Sequence, residues 1–141
     1  HALFYHMFIT LKWGMNFLKL FDSPSLIAAH RGANAIAPEN TLKALEMSVG
    51  RCDFMKVDVC LSKDLTPVVM HDDTLERTTN VESLNEFKGR EPYFVHDFSD
   101  EELKRLDYGE GESLLTLNAA LEFVKENELF LNVAKSPHLL L

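Results

Sequence analysis

At 141 residues with a formal charge of −8, the chain is long enough to bury one core and too acidic to suit a nucleic-acid partner, whose phosphates want a basic face. Hydrophobic residues make up 46% and charged residues 26%, an ordinary globular mixture with no repeat or low-complexity tract. Small phosphate-bearing molecules stay open as ligands, because a few Arg or Lys side chains can reverse the field inside a pocket.

From His1 to Phe21, the residues Phe4, Phe8, Leu11, Met15 and Leu18 recur at spacings of four and three. That period predicts an amphipathic helix, with residues 1–22 as an N-terminal helix and 23–141 as the domain. Packing against the domain, lying on a membrane surface and spanning a membrane compete for its role; Lys12 would cost a span about 2.5–3.5 kcal/mol. A secretory signal fits poorly, since there is no basic leader and no small-residue cleavage site. The chain opens on His1 and stops in Leu139-Leu140-Leu141, and reads as cut at both ends.

After Pro24 the pattern alternates between strand and helix. Leu26-Ile27-Ala28-Ala29 predicts a short buried parallel strand ending on His30. Pro38 and Asn40 open a helix with Leu42, Leu45 and Val49 on one face, and Gly50 stops it. Asp53 to Val59 predicts a strand, and Thr66 to Met70 another extended piece ending on His71. The polar text from His71 to Phe98 predicts a long excursion, with His96-Asp97 as a turn. Ser99 and Glu102 form a capping box before Leu103 and Leu106. Thr116 opens a helix buried along Leu117, Ala120, Leu121 and Val124, and Leu129 to Val133 predicts one more strand. Cys52 and Cys60 have no CxxC spacing and read as reduced thiols. They leave the compartment open, with the cytoplasm favoured and a peripheral membrane position as the alternative.

This order suits a parallel sheet, and its polar residues fall at the carboxyl ends of strands, where α/β enzymes build their sites. His30, the Lys56/Asp58 pair and His71 stand there. Two histidines can exchange proton roles near neutral pH, Arg31 can bridge phosphate oxygens, and Glu39 can steady a guanidinium. Together these groups suit phosphodiester hydrolysis.

The runs Ile27-Ala28-Ala29-His30-Arg31-Gly32, Pro38-Glu39-Asn40-Thr41-Leu42 and Asp53 to Val59 appear in that order. Leu61 to Asp64, Val68-Val69-Met70-His71-Asp72 and Thr74 to Thr79 follow. This series resembles the amino-terminal half of the glycerophosphodiester phosphodiesterase family over roughly residues 26 to 135. The resemblance implies an α/β fold, a partial TIM-type barrel of parallel strands preceded by the amphipathic helix; a complete barrel needs about 250 residues. It implies cleavage of glycerophosphodiesters to glycerol phosphate and an alcohol, with a divalent metal, calcium or magnesium. His30 and His71 become the acid/base pair, Arg31, Glu39 and Lys135 substrate contacts, and Asp58 a metal ligand. The chain departs from the family twice. Lys56 stands where a glutamate is expected two residues before Asp58, and Val133 where another is expected two residues before Lys135, unless Asn132-Val133-Ala134-Lys135 is one residue short of the pattern. Metal binding is therefore expected to be weakened or lost, with Lys56 itself standing where the metal would, as a point charge on the phosphate, as one alternative; a catalytically impaired phosphate-binding or interaction module, or an inactive fragment of a larger enzyme, is the other. The implied partner is a small glycerophosphodiester, with membrane-surface contact through residues 1–21 and a dimer covering exposed sheet edges as further expectations.

Overall fold

The chain is described by a computed structural model covering residues 6–9, 22 and 25–135. Its elements in order are β1 (His6–Ile9), β2 (Ala28–His30), α1 (Leu42–Glu46), β3 (Phe54–Leu61), β4 (Pro67–Val69), α2 (Asp100–Leu103), α3 (Leu117–Glu126) and β5 (Leu131–Lys135). β3 is the axis, with β2 and β5 pairing to it in parallel on its two sides. Alternate residues of a strand point to opposite faces, and here the two faces have different chemistry. Met55 and Val57 pack with Leu131 and Val133 against Leu45 of α1 and Ala120 and Val124 of α3. The opposite face carries His30, Lys56, Asp58, Asn132 and Ala134. Parallel strands backed on one face by helices are the layout of a partial (β/α) barrel.

Several expectations change at the sheet margins. Residues 6–9 form a strand, not part of a helix, and pair antiparallel with β5 from His6 opposite Ala134 to Ile9 opposite Leu131. The edge of β5 offers unpaired backbone groups, and satisfying them outweighs a helical spacing of apolar residues. The remainder of the expected helix lies outside the described residues. β2 is an edge strand with Ala28 and His30 exposed, not a buried one. β4 runs antiparallel to the end of β3, with Val59 opposite Val69 and Leu61 opposite Pro67. The short link between them, turned at Leu65 with φ 64°, is too brief for the crossover that parallel pairing requires.

The helices follow their caps. Thr41 caps α1 by accepting from the Ala44 amide, but Leu42 and Val49 are exposed and only Leu45 of the expected stripe is fully buried. Ser99 and Glu102 make both bonds of the capping box at α2. The excursion after His71 is more ordered than its polar text suggests. Leu75, Val81, Phe87, Tyr93, Val95 and Phe98 bury together with Leu103 and Leu106 as a second core. Phe87 and Phe98 meet edge to face at 5.2 Å, and the Arg90 guanidinium lies 3.8 Å from the Phe98 ring centre. His96 lies in a short 3-10 turn, as expected, and neither cysteine is in a disulfide. No helix among the described residues is long and apolar enough to cross a membrane.

Candidate active site

Strand register assembles the site. His30 of β2 stands opposite Lys56 of β3, and Lys56 stands opposite Asn132 of β5. Partners in a parallel ladder share a face, so these side chains form one row across the barrel mouth. Asp58 and Ala134 are paired in the next row.

The turn after His30 is set by backbone geometry. Arg31 has φ 56° and Gly32 φ 76°, and a Cβ on Gly32 would come within 2.7 Å of the Ala44 backbone and Cβ. Only glycine tolerates both demands. The Arg31 amide donates to the Lys56 carbonyl at 2.6 Å, and the Asn40 amide donates to the Arg31 carbonyl at 2.9 Å. His30-Arg31-Gly32 and Pro38-Glu39-Asn40-Thr41 thereby become one loop cluster.

Charged side chains of alternating sign then run across the mouth. The Lys56 ammonium donates to Asp58 Oδ1. Arg31 Nε faces Asp58 Oδ2 at 3.3 Å as a charge contact without hydrogen-bond geometry. Arg31 also donates to Glu39 at 3.0 Å. Glu39 accepts from Arg77 at 2.7 and 3.0 Å, Arg77 Nε donates to Asp72 at 2.6 Å, and Asp72 Oδ1 lies 2.6 Å from His71 Nδ1. A continuous chain of ion pairs therefore links Lys56 to His71.

These contacts tune the groups. Hydrogen bonding from Arg77, then from His71, holds the Asp72 carboxyl at about 2, below its ordinary 3.8. Ionised Asp72 can only accept, so His71 Nδ1 carries the hydrogen and Nε2 is left for chemistry. Glu39 is lowered chiefly by its hydrogen bond from Arg77. Burial, then the charges of Lys56 and Arg31, push His30 below the ordinary histidine value, which favours the neutral imidazole.

The donors present do not fit a divalent cation. Asp58 is the carboxylate of its row, its side chain is 3% exposed, and both its oxygens already face cations of this chain. Among the described residues no group of three or more His, Cys, Asp or Glu could hold a metal, whereas calcium takes about 6–8 oxygens. Register also relocates the second missing acid. Val133 pairs with Val57 on the packed face, and Ala134 is the residue beside Asp58. Lys135 pairs with Val59 and belongs to the row of Val57 and Val133, away from His30 and Lys56. The strand is one residue out of step with the pattern the resemblance implies, and strand periodicity moves each side chain to the opposite face.

Arg77 was assigned no role by sequence reasoning, although it ties Glu39 to Asp72. Its signal was an arginine six residues after His71. Beside Glu39 and Arg77 lies a cleft of about 440 Å³, lined also by Thr78, Asn80, Asp107 and Tyr108, among others. His71 borders a smaller cavity that shares Glu39 and Thr78 with that cleft.

Residues 30–137 match the Glycerophosphoryl diester phosphodiesterase family. The chain belongs to that family. It is 38% identical over 118 residues to a glycerophosphodiester phosphodiesterase of Caldanaerobacter subterraneus subsp. tengcongensis, covering 77% of this chain and 44% of that protein. Among solved structures it is similar to an Oleispira antarctica phosphodiesterase in complex with the product sn-glycerol-3-phosphate. That likeness has a TM-score of 0.65 and 33% identity over 77% of this chain and 43% of the other. A glycerophosphodiester phosphodiesterase from Agrobacterium tumefaciens gives a TM-score of 0.62 and 32% identity, over 73% and 44% of the two chains. The fold is thus a partial TIM-type barrel, and the chain spans less than half the length of the curated relatives it matches.

Proposed function

We propose that the mouth binds the phosphate of a glycerophosphodiester and hydrolyses it to glycerol phosphate and an alcohol. The observation that carries this reading is the ion-pair chain from Lys56 to His71, which ties a phosphate-reading arginine and both histidine loops into one unit. In the reaction, water attacks phosphorus while neutral His30 takes its proton. The bond from phosphorus to the leaving alcohol oxygen breaks, and His71 Nε2 gives that oxygen a proton. Asp72 holds the imidazole of His71 through Nδ1 and fixes its orientation. Arg31 draws charge from the phosphoryl oxygens, and Glu39 keeps that guanidinium and Arg77 in place. The cleft beside Glu39 and Asp107 is the space for the alcohol portion. Lys135 is left out of these roles because of its row.

A second reading is favoured by the donor set around Asp58, namely phosphate binding without turnover. Release of glycerol phosphate from glycerophosphocholine separates the two. Turnover that disappears in both His30→Ala and His71→Ala supports hydrolysis. Phosphate binding with no release supports the binding module.

A further inference from the structure

We infer that Lys56 is this chain's own cation: its ammonium, anchored on Asp58, contacts a phosphoryl oxygen directly, so that phosphate recognition at this mouth needs no divalent metal. The inference rests on the reading above that the mouth receives a phosphate.

Position comes first. Lys56 stands between His30 and Asn132 in one row, and its carbonyl accepts the Arg31 amide. The ammonium and guanidinium therefore flank the same point from adjoining backbone. An ammonium has three hydrogens to donate, and Asp58 Oδ1 takes one of them.

Charge points the same way. Lys56 and Arg31 both face the single carboxylate of Asp58, so two cations meet one anion at that point of the mouth. Glu39 is shared between Arg31 and Arg77, and Asp72 between Arg77 and His71, so Lys56, Arg31 and Arg77 are balanced in sum by Asp58, Glu39 and Asp72. The single negative charge of a phosphodiester is met there by the ammonium and guanidinium hydrogens that Asp58 does not take up. A divalent ion would have to displace Lys56 from Asp58 and then sit near a fixed ammonium, where repulsion replaces attraction. The neighbouring row position is no help to it, because Ala134 brings a methyl group where an oxygen would be needed. Asn132 instead brings a carboxamide whose buried Oδ1 makes no hydrogen bond among the described residues. That oxygen can accept from the ammonium or from a substrate hydroxyl, and adds no charge.

Isothermal titration of the 141-residue chain with inorganic phosphate and with sn-glycerol 3-phosphate tests this, once in EDTA and once with calcium or magnesium. The expected result is an affinity equal within about twofold in the two buffers, weakened at least about tenfold by Lys56→Gln and less by Lys56→Arg, which keeps the charge. Glycerol 3-phosphate binding more tightly than inorganic phosphate would also show that the glycerol portion is read at the same mouth. Phosphate binding that appears only with the cation overturns the inference and leaves the phosphate-site reading standing. Absence of binding in both buffers overturns the two together. The comparison of buffers uses the unaltered chain, so it decides the matter even if a Lys56 variant folds poorly; thermal melts of the variants check that they fold.

Discussion

The two histidines of the mouth are supported in different ways. His30 ends an exposed edge strand, and its loop is fixed by a few backbone bonds, a glycine and ion pairs. His71 follows Val68, Val69 and Met70, all buried, and leads into the second core around Phe87 and Phe98. Apolar packing is non-directional and collective, so the His71 side is held by many contacts at once. The His30 side depends on a few directional ones, each of which can be removed alone. Arg77 joins the sides, because Glu39 belongs to the first loop and Asp72 to the second.

The largest effect should come from the histidines themselves. His71→Ala should lower glycerol phosphate release by about 10²–10⁴-fold with little change in the urea midpoint, as loss of a proton donor does; a tenfold loss or less would argue against that role. On the packed side, Phe98→Ala should destabilise the chain by about 3–5 kcal/mol in urea unfolding, the usual cost of emptying a fully buried aromatic site. On the sparse side, Gly32→Ala should cost about 1–3 kcal/mol, as overpacking does, and should weaken glycerol 3-phosphate binding more than Phe98→Ala does at equal fractions folded. A reversed order would mean that the His30 loop is not the fragile half.

The smallest effect tests the link between the sides. Asp72 titrates near 2 in the folded chain against an ordinary 3.8. Lowered folded pKa means that its contribution is present above about pH 4 and lost as pH falls toward 2. After allowance for the half-exposed Arg77, that contribution is about 1 kcal/mol. Urea midpoints measured between pH 5 and pH 2.5 should show it, and Asp72→Asn should remove that part of the slope.

Motifs with local chemistry were legible in the sequence. The capping box at Ser99 and the cap at Thr116 depend on neighbours a few residues away, and they read correctly; the helix expected to stop at Gly50 ends earlier, at Glu46 with Met47 as its C-cap. The chain position of His30 and His71 also survives, because both follow strands whose apolar runs are plain. Arg77 was not legible as a tie, since its partner Glu39 is 38 residues distant. Of the two readings of Asn132 to Lys135, strand register favours the one in which the stretch is a residue short. Counting back from Lys135 gives Val133, but pairing with β3 sets Ala134 beside Asp58. Residues 6–9 misled for the same reason: their spacing fits a helix, and their pairing with β5 makes them a strand.

By itself the sequence determined the family, the alternation of strands and helices, and the chain positions of His30, Arg31 and His71. These follow from composition, periodicity and short motifs, which act over a turn or a strand. The shared parity of Lys56 and Asp58 already placed that pair at the mouth; tertiary structure alone decided that Arg77 bridges the two loops and that β5 presents Asn132 and Ala134 to the site. Those outcomes depend on strand register and on loops that meet across the barrel. A shift of one residue in register exchanges the two faces of a strand, and nothing local to β5 records which face the rest of the sheet will use.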